Sequence, residues 1–143
     1  MPKKVLLDSK KIDIILNRLV CQLVENHKDF NNTVLIGLQP RGIFLIEKIL
    51  EIFKKNYPYI NIDTGILDFT FFRDDFRRSK KTLKASSTQM NFSIENKDVV
   101  LIDDVLFTGR SIKAAMSSMD SYGRPNSIEL LVLIDRRYKR EIP

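Results

Sequence analysis

The chain has 143 residues, 43% of them hydrophobic, and a formal net charge of +6 at pH 7. That length and hydrophobic content indicate one domain, residues 1–143, with a core of its own, and the positive charge suits partners rich in phosphate, such as nucleotides or RNA. No apolar window reaches the length of a membrane span, and the N-terminal apolar run is too short for a signal peptide. A single cysteine, Cys21, excludes an internal disulfide, so we expect a cytoplasmic protein in which the helical pattern places Cys21 in the core.

The first half of the chain alternates helix and strand. An amphipathic helix is predicted over residues 8–26, with Asp8 or Ser9 as its cap. The apolar run Thr33–Leu38 predicts a buried strand, which ends in a Gln-Pro-Arg-Gly turn before a second amphipathic helix. A further strand is predicted over residues 64–72.

The second half begins with a long segment, residues 73–91, that is rich in charge, serine and threonine and has no clear period. Loops of this length are usually functional or disordered. A strand is predicted at residues 99–103, followed by a turn, a helix and a last buried strand over residues 127–135. Strands that alternate with helices imply βαβ units and a mostly parallel sheet, with Thr33–Leu38 and the two later strands in its centre.

Residues 99–111 carry the clearest chemistry. Four apolar residues lead into two carboxylates, Asp103 and Asp104, at the carboxyl end of a predicted strand, where open α/β sheets bind their ligands. A turn around Gly109 then allows successive N–H groups to converge on a phosphate at the start of the next helix. Carboxylates suit ribose hydroxyls and Mg²⁺, so the pattern predicts a phosphorylated ribose with a metal nearby. The alternative is a plain strand–turn–helix whose acids only cap the helix.

These residues resemble the phosphoribosyl pyrophosphate (PRPP) motif of type I phosphoribosyltransferases. The resemblance implies PRPP contacts from Asp103, Asp104, Val105, Leu106, Phe107, Thr108, Gly109, Arg110 and Ser111. It also implies a pyrophosphate-binding turn formed by Gln39, Pro40, Arg41 and Gly42. The alternative for that turn is an ordinary helix start with proline in its first turn. The implied fold is α/β, a mostly parallel twisted sheet flanked by helices.

The same family folds a loop over bound PRPP, and here that loop begins at Arg73. The implied reaction is nucleophilic substitution at the anomeric carbon of the ribose, through an oxocarbenium-like state, with pyrophosphate as the leaving group. Mg²⁺ and cationic side chains stabilise such a leaving group. The implied catalytic residues are therefore Arg73, Asp103 and Asp104, with Mg²⁺ near the two aspartates. The alternative for the loop is a solvated basic segment.

Five segments that occur in order make the resemblance narrower. They are residues 37–42, 71–75, 103–111, 123–125 and 131–136, and together they look like the PyrR family of uracil phosphoribosyltransferases. This implies conversion of uracil and PRPP to UMP and pyrophosphate, assembly into a homo-oligomer, and binding of pyrimidine-operon mRNA that UMP or UTP promotes. Asp135 and Arg136 would lie near the base and the pyrophosphate. The implied RNA-binding residues are Arg18, Arg137, Lys139 and Arg140.

The chain departs from that family at its C-terminal end. Family members continue for a few dozen residues, which supply a last strand and much of the hood over the base. We therefore expect the phosphate-binding half of the site to be present, with poor turnover of uracil, and an unpaired sheet edge that lowers stability or favours self-association. Two alternatives stay open: an RNA-binding or nucleotide-sensing regulator with little or no turnover, and a purine-base phosphoribosyltransferase.

Overall fold

The computed structural model describes residues 7–39, 41–68, 90, 92–106 and 109–135. The predicted loop of residues 73–91 falls almost entirely outside these ranges, and so do the last residues of the strand predicted over 64–72. Among the described helices, none has the length and apolar character that crossing a membrane requires.

Helices and strands alternate along most of the described chain, as predicted, and only β2 and β3 follow each other with no described helix between them. The elements are α1 (Ser9–His27), β1 (Thr33–Leu38), α2 (Gly42–Asn56), β2 (Asp63–Leu67), β3 (Asp98–Leu106), α3 (Arg110–Met119), a 3₁₀ turn (Asp120–Tyr122) and β4 (Ser127–Asp135). The four strands form one parallel sheet in the order β2-β1-β3-β4. Parallel strands need crossover connections, and the helices in those connections cover the faces of the sheet.

Two apolar clusters hold the helices against the sheet. On one face, Leu16 of α1 and Ile49 of α2 pack with Leu35 of β1 and Ile102 of β3. On the other face, the buried residues include Val34, Ile36, Leu101, Ala115 and Met119. Successive residues of β1 face opposite sides of the sheet, so the strand is buried along its whole length and apolar after Thr33.

Among the described strands, β4 lies at an edge of the sheet, whereas the sequence suggested a central position. Among the described strands it pairs only with β3, and Leu131 is its one buried residue. An apolar run predicts a strand with a buried environment, but it does not tell whether one or two neighbouring strands provide it. The remaining apolar side chains of β4 are half-buried, because no second strand among the described residues covers its outer side.

Helix α1 begins where its predicted cap lies, but it turns Cys21 outward. Asp8 Oδ1 accepts a hydrogen bond from the backbone N–H of Lys11 at 2.8 Å, which satisfies one of the free N–H groups of the first turn. The prediction that Cys21 lies in the core is wrong, because this residue is exposed. The inward stripe of the helix passes through Val20, and the following residue is rotated by about 100° around the helix axis.

Candidate functional site

Strand β3 carries the acid pair, Asp103 and Asp104, within its hydrogen-bonded length. The sequence suggested that the strand ends at Asp103, but the structure extends it to Leu106. The cause is the partner strand, because β4 pairs Val132 with Asp103 and Asp135 with Leu106. The two carboxylates therefore stand on a fixed strand backbone, and Asp135 lies level with its end.

The backbone of the strand also orients the acid pair. The N–H of Asp104 donates to Asp103 Oδ1 at 2.8 Å, and the N–H of Val105 donates to Asp104 Oδ1 at 2.8 Å. Burial raises the pKa of Asp103 to about 6; the Asp104 side chain adds to the rise, while the Asp104 N–H and the Arg41 guanidinium oppose it. Carboxylates perturbed by burial and by a second acid are frequent at functional sites.

The turn after β1 is packed directly against β3. The N–H of Gln39 donates to the Leu67 carbonyl at 3.1 Å, which ties the turn to β2. A Cβ atom on Gly42 would overlap the Ile102 carbonyl oxygen, and one on Gly37 would lie 3.0 Å from the Gly42 carbonyl oxygen. Glycine at these positions therefore allows α2 to begin against the strand that carries the acid pair.

Arg41 connects this turn to the acid pair. Its Nη1 lies 3.4 Å from Asp104 Oδ2, and the two side chains are 74% and 27% exposed, respectively. An ion pair this open to water is weak. The contact nevertheless shows that the turn after β1 and the acid pair on β3 lie side by side.

Gly109, directly before α3, has a left-handed backbone conformation, which suits a turn that binds phosphate. Gly109 has φ 89° and ψ 2°, the left-handed conformation predicted for it, and it caps α3. Lys113 donates its N–H to the Gly109 carbonyl at 3.0 Å, whereas the first N–H groups of a helix have no carbonyl partner within that helix. Those groups and the positive end of the helix dipole together attract an anion.

The described site residues come from the ends of three strands. The structure places the following in the carboxyl-terminal halves of β1, β3 and β4, in the turns after them or in the first turns of α2 and α3: Gln39, Arg41, Gly42, Asp103, Asp104, Val105, Leu106, Gly109, Arg110, Ser111 and Asp135. The predicted site residues outside the described part of the chain are Pro40, Arg73, Phe107, Thr108, Arg136, Arg137, Lys139 and Arg140. Arg18 is described and lies on the exposed side of α1.

Backbone atoms support the site in ways that sequence reasoning missed. The carbonyl groups of Ile102 and Leu67 position the turn around Arg41, yet any residue type would supply them. The available signal was Gly37, since a glycine inside an apolar strand often marks a close approach of another backbone.

Comparison with known proteins decides the family. Residues 3–143 match the family model described as a phosphoribosyl transferase domain. The chain belongs to the phosphoribosyltransferase family. Its mostly parallel sheet with flanking helices is the type I phosphoribosyltransferase fold.

Individual relatives narrow the family further. This phosphoribosyltransferase is 40% identical over 140 residues to the bifunctional protein PyrR of Caldicellulosiruptor bescii, a match that covers 98% of this chain and 76% of that protein. It is 38% identical over 143 residues to the bifunctional protein PyrR of Enterococcus faecalis, which covers 100% of this chain and 79% of that protein. The chain therefore belongs to the PyrR family, and it spans about three quarters of the length of these relatives.

A solved structure agrees on the fold. A hypoxanthine phosphoribosyltransferase from Staphylococcus aureus superposes on this phosphoribosyltransferase with a TM-score of 0.73 at 23% identity, covering 99% of this chain and 72% of that one. At this identity the likeness concerns the fold alone.

Proposed function

We propose that this phosphoribosyltransferase transfers the phosphoribosyl group of PRPP to uracil, giving UMP and pyrophosphate. The proposal rests on three features that lie toward the carboxyl ends of β1 and β3. They are the acid pair on β3, the glycine-packed turn at Gly42 and the left-handed residue Gly109. These are the groups that a sugar, a pyrophosphate and a phosphate need, respectively. Membership of the PyrR family supports uracil as the base.

Each piece takes a distinct part of PRPP. The turn at Gly109 and the first N–H groups of α3, with the hydroxyl of Ser111, bind the 5′-phosphate. Asp103 and Asp104 accept hydrogen bonds from the ribose hydroxyls, which the fixed strand backbone makes possible at defined positions. The turn of Arg41 and Gly42 binds the pyrophosphate through backbone N–H groups and one guanidinium.

The reaction breaks the bond between the anomeric carbon and a pyrophosphate oxygen, and it forms a bond from that carbon to a uracil nitrogen. The nitrogen loses its proton to solvent, and a backbone carbonyl can accept a hydrogen bond from the N–H before the proton leaves. The chain has one histidine, His27, which is hydrogen-bonded to Thr33 at the opposite, amino end of β1. We infer that Asp103 and Asp104 act on the ribose rather than as a general base, because their negative charge favours the positive charge that develops on the sugar.

The acid pair also fits Mg²⁺. Asp103 and Asp104 would hold the ion, and phosphate and water would supply the remaining oxygen ligands that Mg²⁺ prefers. Among the described residues, no group of three or more histidine, cysteine or acidic side chains could hold a metal by itself. The Arg41 guanidinium lies beside Asp104, so the acid pair already has one cation next to it. When bound, Mg²⁺ would neutralise charge on the leaving pyrophosphate.

The test is an assay for UMP formation from uracil and PRPP, with guanine and hypoxanthine as competing bases. We expect uracil-dependent release of pyrophosphate that requires Mg²⁺ and is absent with the purines. Turnover of a purine instead would identify a purine-base enzyme. PRPP binding without turnover of any base would identify a nucleotide sensor.

A second proposed activity is RNA binding, which the name "bifunctional" of the PyrR relatives and the net charge of +6 support. The RNA is the pyrimidine-operon mRNA, and UMP or UTP promotes its binding. Exposed Arg18 on α1 is one proposed contact. A salt titration of leader-RNA binding checks this, because each phosphate contact that is lost lowers the slope of log affinity against log salt by about 1; a slope unchanged in Arg18→Gln would remove Arg18 from the interface.

A further inference from the structure

The carboxylate of Asp104 has its two oxygens committed to different partners. Oδ1 accepts the N–H of Val105 at 2.8 Å, so the orientation of the carboxylate is set by its own strand. Oδ2 faces Arg41 Nη1 at 3.4 Å. The oxygen that its own strand leaves unbonded, Oδ2, therefore has a positive charge beside it.

Arg41 is anchored at its backbone and loose at its tip. The following residue, Gly42, has no room for a Cβ atom against Ile102, so the backbone at the start of α2 is packed closely against β3. The Arg41 side chain is 74% exposed, and a 3.4 Å contact lies at the long end of the hydrogen-bond range. A fixed base with a solvated tip allows the guanidinium to change partners without a change in fold.

We propose that Arg41 serves as the counter-cation of Asp104 in the ligand-free protein and leaves it for the pyrophosphate when the metal–PRPP complex binds. This rests on the proposed function and adds an exchange of cations to it. In the free protein, Arg41 and a divalent cation compete for Asp104 Oδ2. With pyrophosphate present the same two cations share an anion, so the competition disappears and Arg41 contributes to binding.

The exchange predicts effects of opposite sign from one substitution. In Arg41→Gln, affinity of the free protein for a divalent cation should rise by about two- to fivefold, the size of an exposed ion pair. Affinity for magnesium pyrophosphate should fall by about ten- to a hundredfold, because a charged hydrogen-bond donor is lost. A purely structural role of Arg41 would weaken both.

The probe is Mn²⁺ alone, with free Mn²⁺ measured by electron paramagnetic resonance, and magnesium pyrophosphate by calorimetry. Lys48→Gln is the charge-matched control, since Lys48 lies on α2 over the ring of Phe44; it should leave both affinities unchanged. Arg41→Lys, which keeps the cation, should stay near the wild-type Mn²⁺ affinity. Circular dichroism confirms that each variant is folded.

Equal or weaker Mn²⁺ binding in Arg41→Gln would overturn the exchange, and so would no detectable Mn²⁺ binding by either chain. Failure of the proposed function has a different signature. In that case the wild-type chain fails to bind PRPP and Mg²⁺ together, whatever the Mn²⁺ titrations of the free proteins give.

Discussion

Gly42 and Ile102 are in contact through their backbones: a Cβ atom on Gly42 would overlap the carbonyl oxygen of Ile102, one residue before the acid pair. The start of α2 and the middle of β3 are therefore set relative to each other by the absence of a side chain at Gly42. This contact gives the first prediction.

Gly42→Ala should lower the free energy of unfolding by about 1–3 kcal/mol, because the added methyl group forces α2 away from β3. It should weaken pyrophosphate binding as well, since Arg41 moves with the helix. Denaturant titration and calorimetry measure the two effects. Glu47→Ala, at an exposed position of α2, is the control and should change neither. Wild-type affinity in Gly42→Ala would mean that the turn does not bind pyrophosphate.

Gly109→Val should abolish PRPP binding. A β-branched residue at φ 89° is strained by about 1–2 kcal/mol, and its side chain would also occupy the phosphate position. Gly109→Asn separates the two causes, because asparagine tolerates the left-handed conformation, so its fold should remain while its side chain still obstructs the anion. Unchanged PRPP affinity in the valine variant, measured by calorimetry, would remove this turn from the site.

Asp103→Asn should make the protein more stable at neutral pH and less able to bind PRPP. The pKa of Asp103 is raised from 3.8 to about 6 in the fold, mainly by burial, so the folded state holds a proton that the unfolded chain releases, and wild-type stability falls as pH rises from about 4 to about 6. The asparagine variant lacks this fall. Its advantage should be near zero at pH 4 and about 1–2 kcal/mol at pH 7.5, once screening of a partly exposed group is allowed for.

Asp98→Asn should change the pH dependence of the free energy of unfolding in the opposite direction from Asp103→Asn, measured in the same denaturant titrations. Hydrogen bonds from Asn126 and Ser127 lower the pKa of Asp98, so its contribution to stability is present above the unfolded pKa and is lost as pH falls. The variant should be less stable than wild type at neutral pH, with the difference shrinking in acid. For the preceding prediction, curves of unfolding free energy against pH that run parallel for Asp103→Asn and wild type would contradict the raised pKa of Asp103.

His27→Ala should destabilise the fold and leave kinetics alone. The ring joins Thr33 Oγ1 at 2.9 Å to Glu129 Oε2 at 2.7 Å, so its loss leaves a buried hydroxyl and a carboxylate unpaired, at a cost of about 1–3 kcal/mol. Thr33 begins β1, and the site lies at the other end of that strand. Denaturant titration measures the loss of stability, and the UMP assay checks that the kinetics are unchanged. Asn26→Ala, at an exposed neighbouring position, is the control, and a changed KM for PRPP would contradict the separation.

Local chemistry made part of the site predictable. The conformation of Gly109 follows from a turn that must pack N–H groups together, and the cap at Asp8 follows from a polar residue before an apolar period. Such features depend on a few neighbouring residues, so the sequence contains them in full. The alternation of helices and strands is predictable for the same reason.

Features set by distant partners were not predictable in the same way. β3 continues past Asp103 because β4 lies beside it, and β4 is half exposed because it has one neighbour among the described strands. The contact of Arg41 with Asp104 depends on which strands are adjacent. Cys21 was misplaced for a smaller reason, since one residue of helix rotation separates the inward stripe from the outward face.

The contact between Arg41 and Asp104 spans 63 residues of chain, and this separation has a consequence for how the molecule acquires its activity. Contacts between distant segments form late in folding, because the loop between them must close first. We therefore expect the proposed ligand site to be incomplete in any state in which β1 and β3 have not paired, and we expect neither half of the chain to bind PRPP by itself. PRPP then acts as a reporter of completed folding, and each tenfold excess of ligand over its Kd adds about 1.4 kcal/mol to the stability of the finished fold.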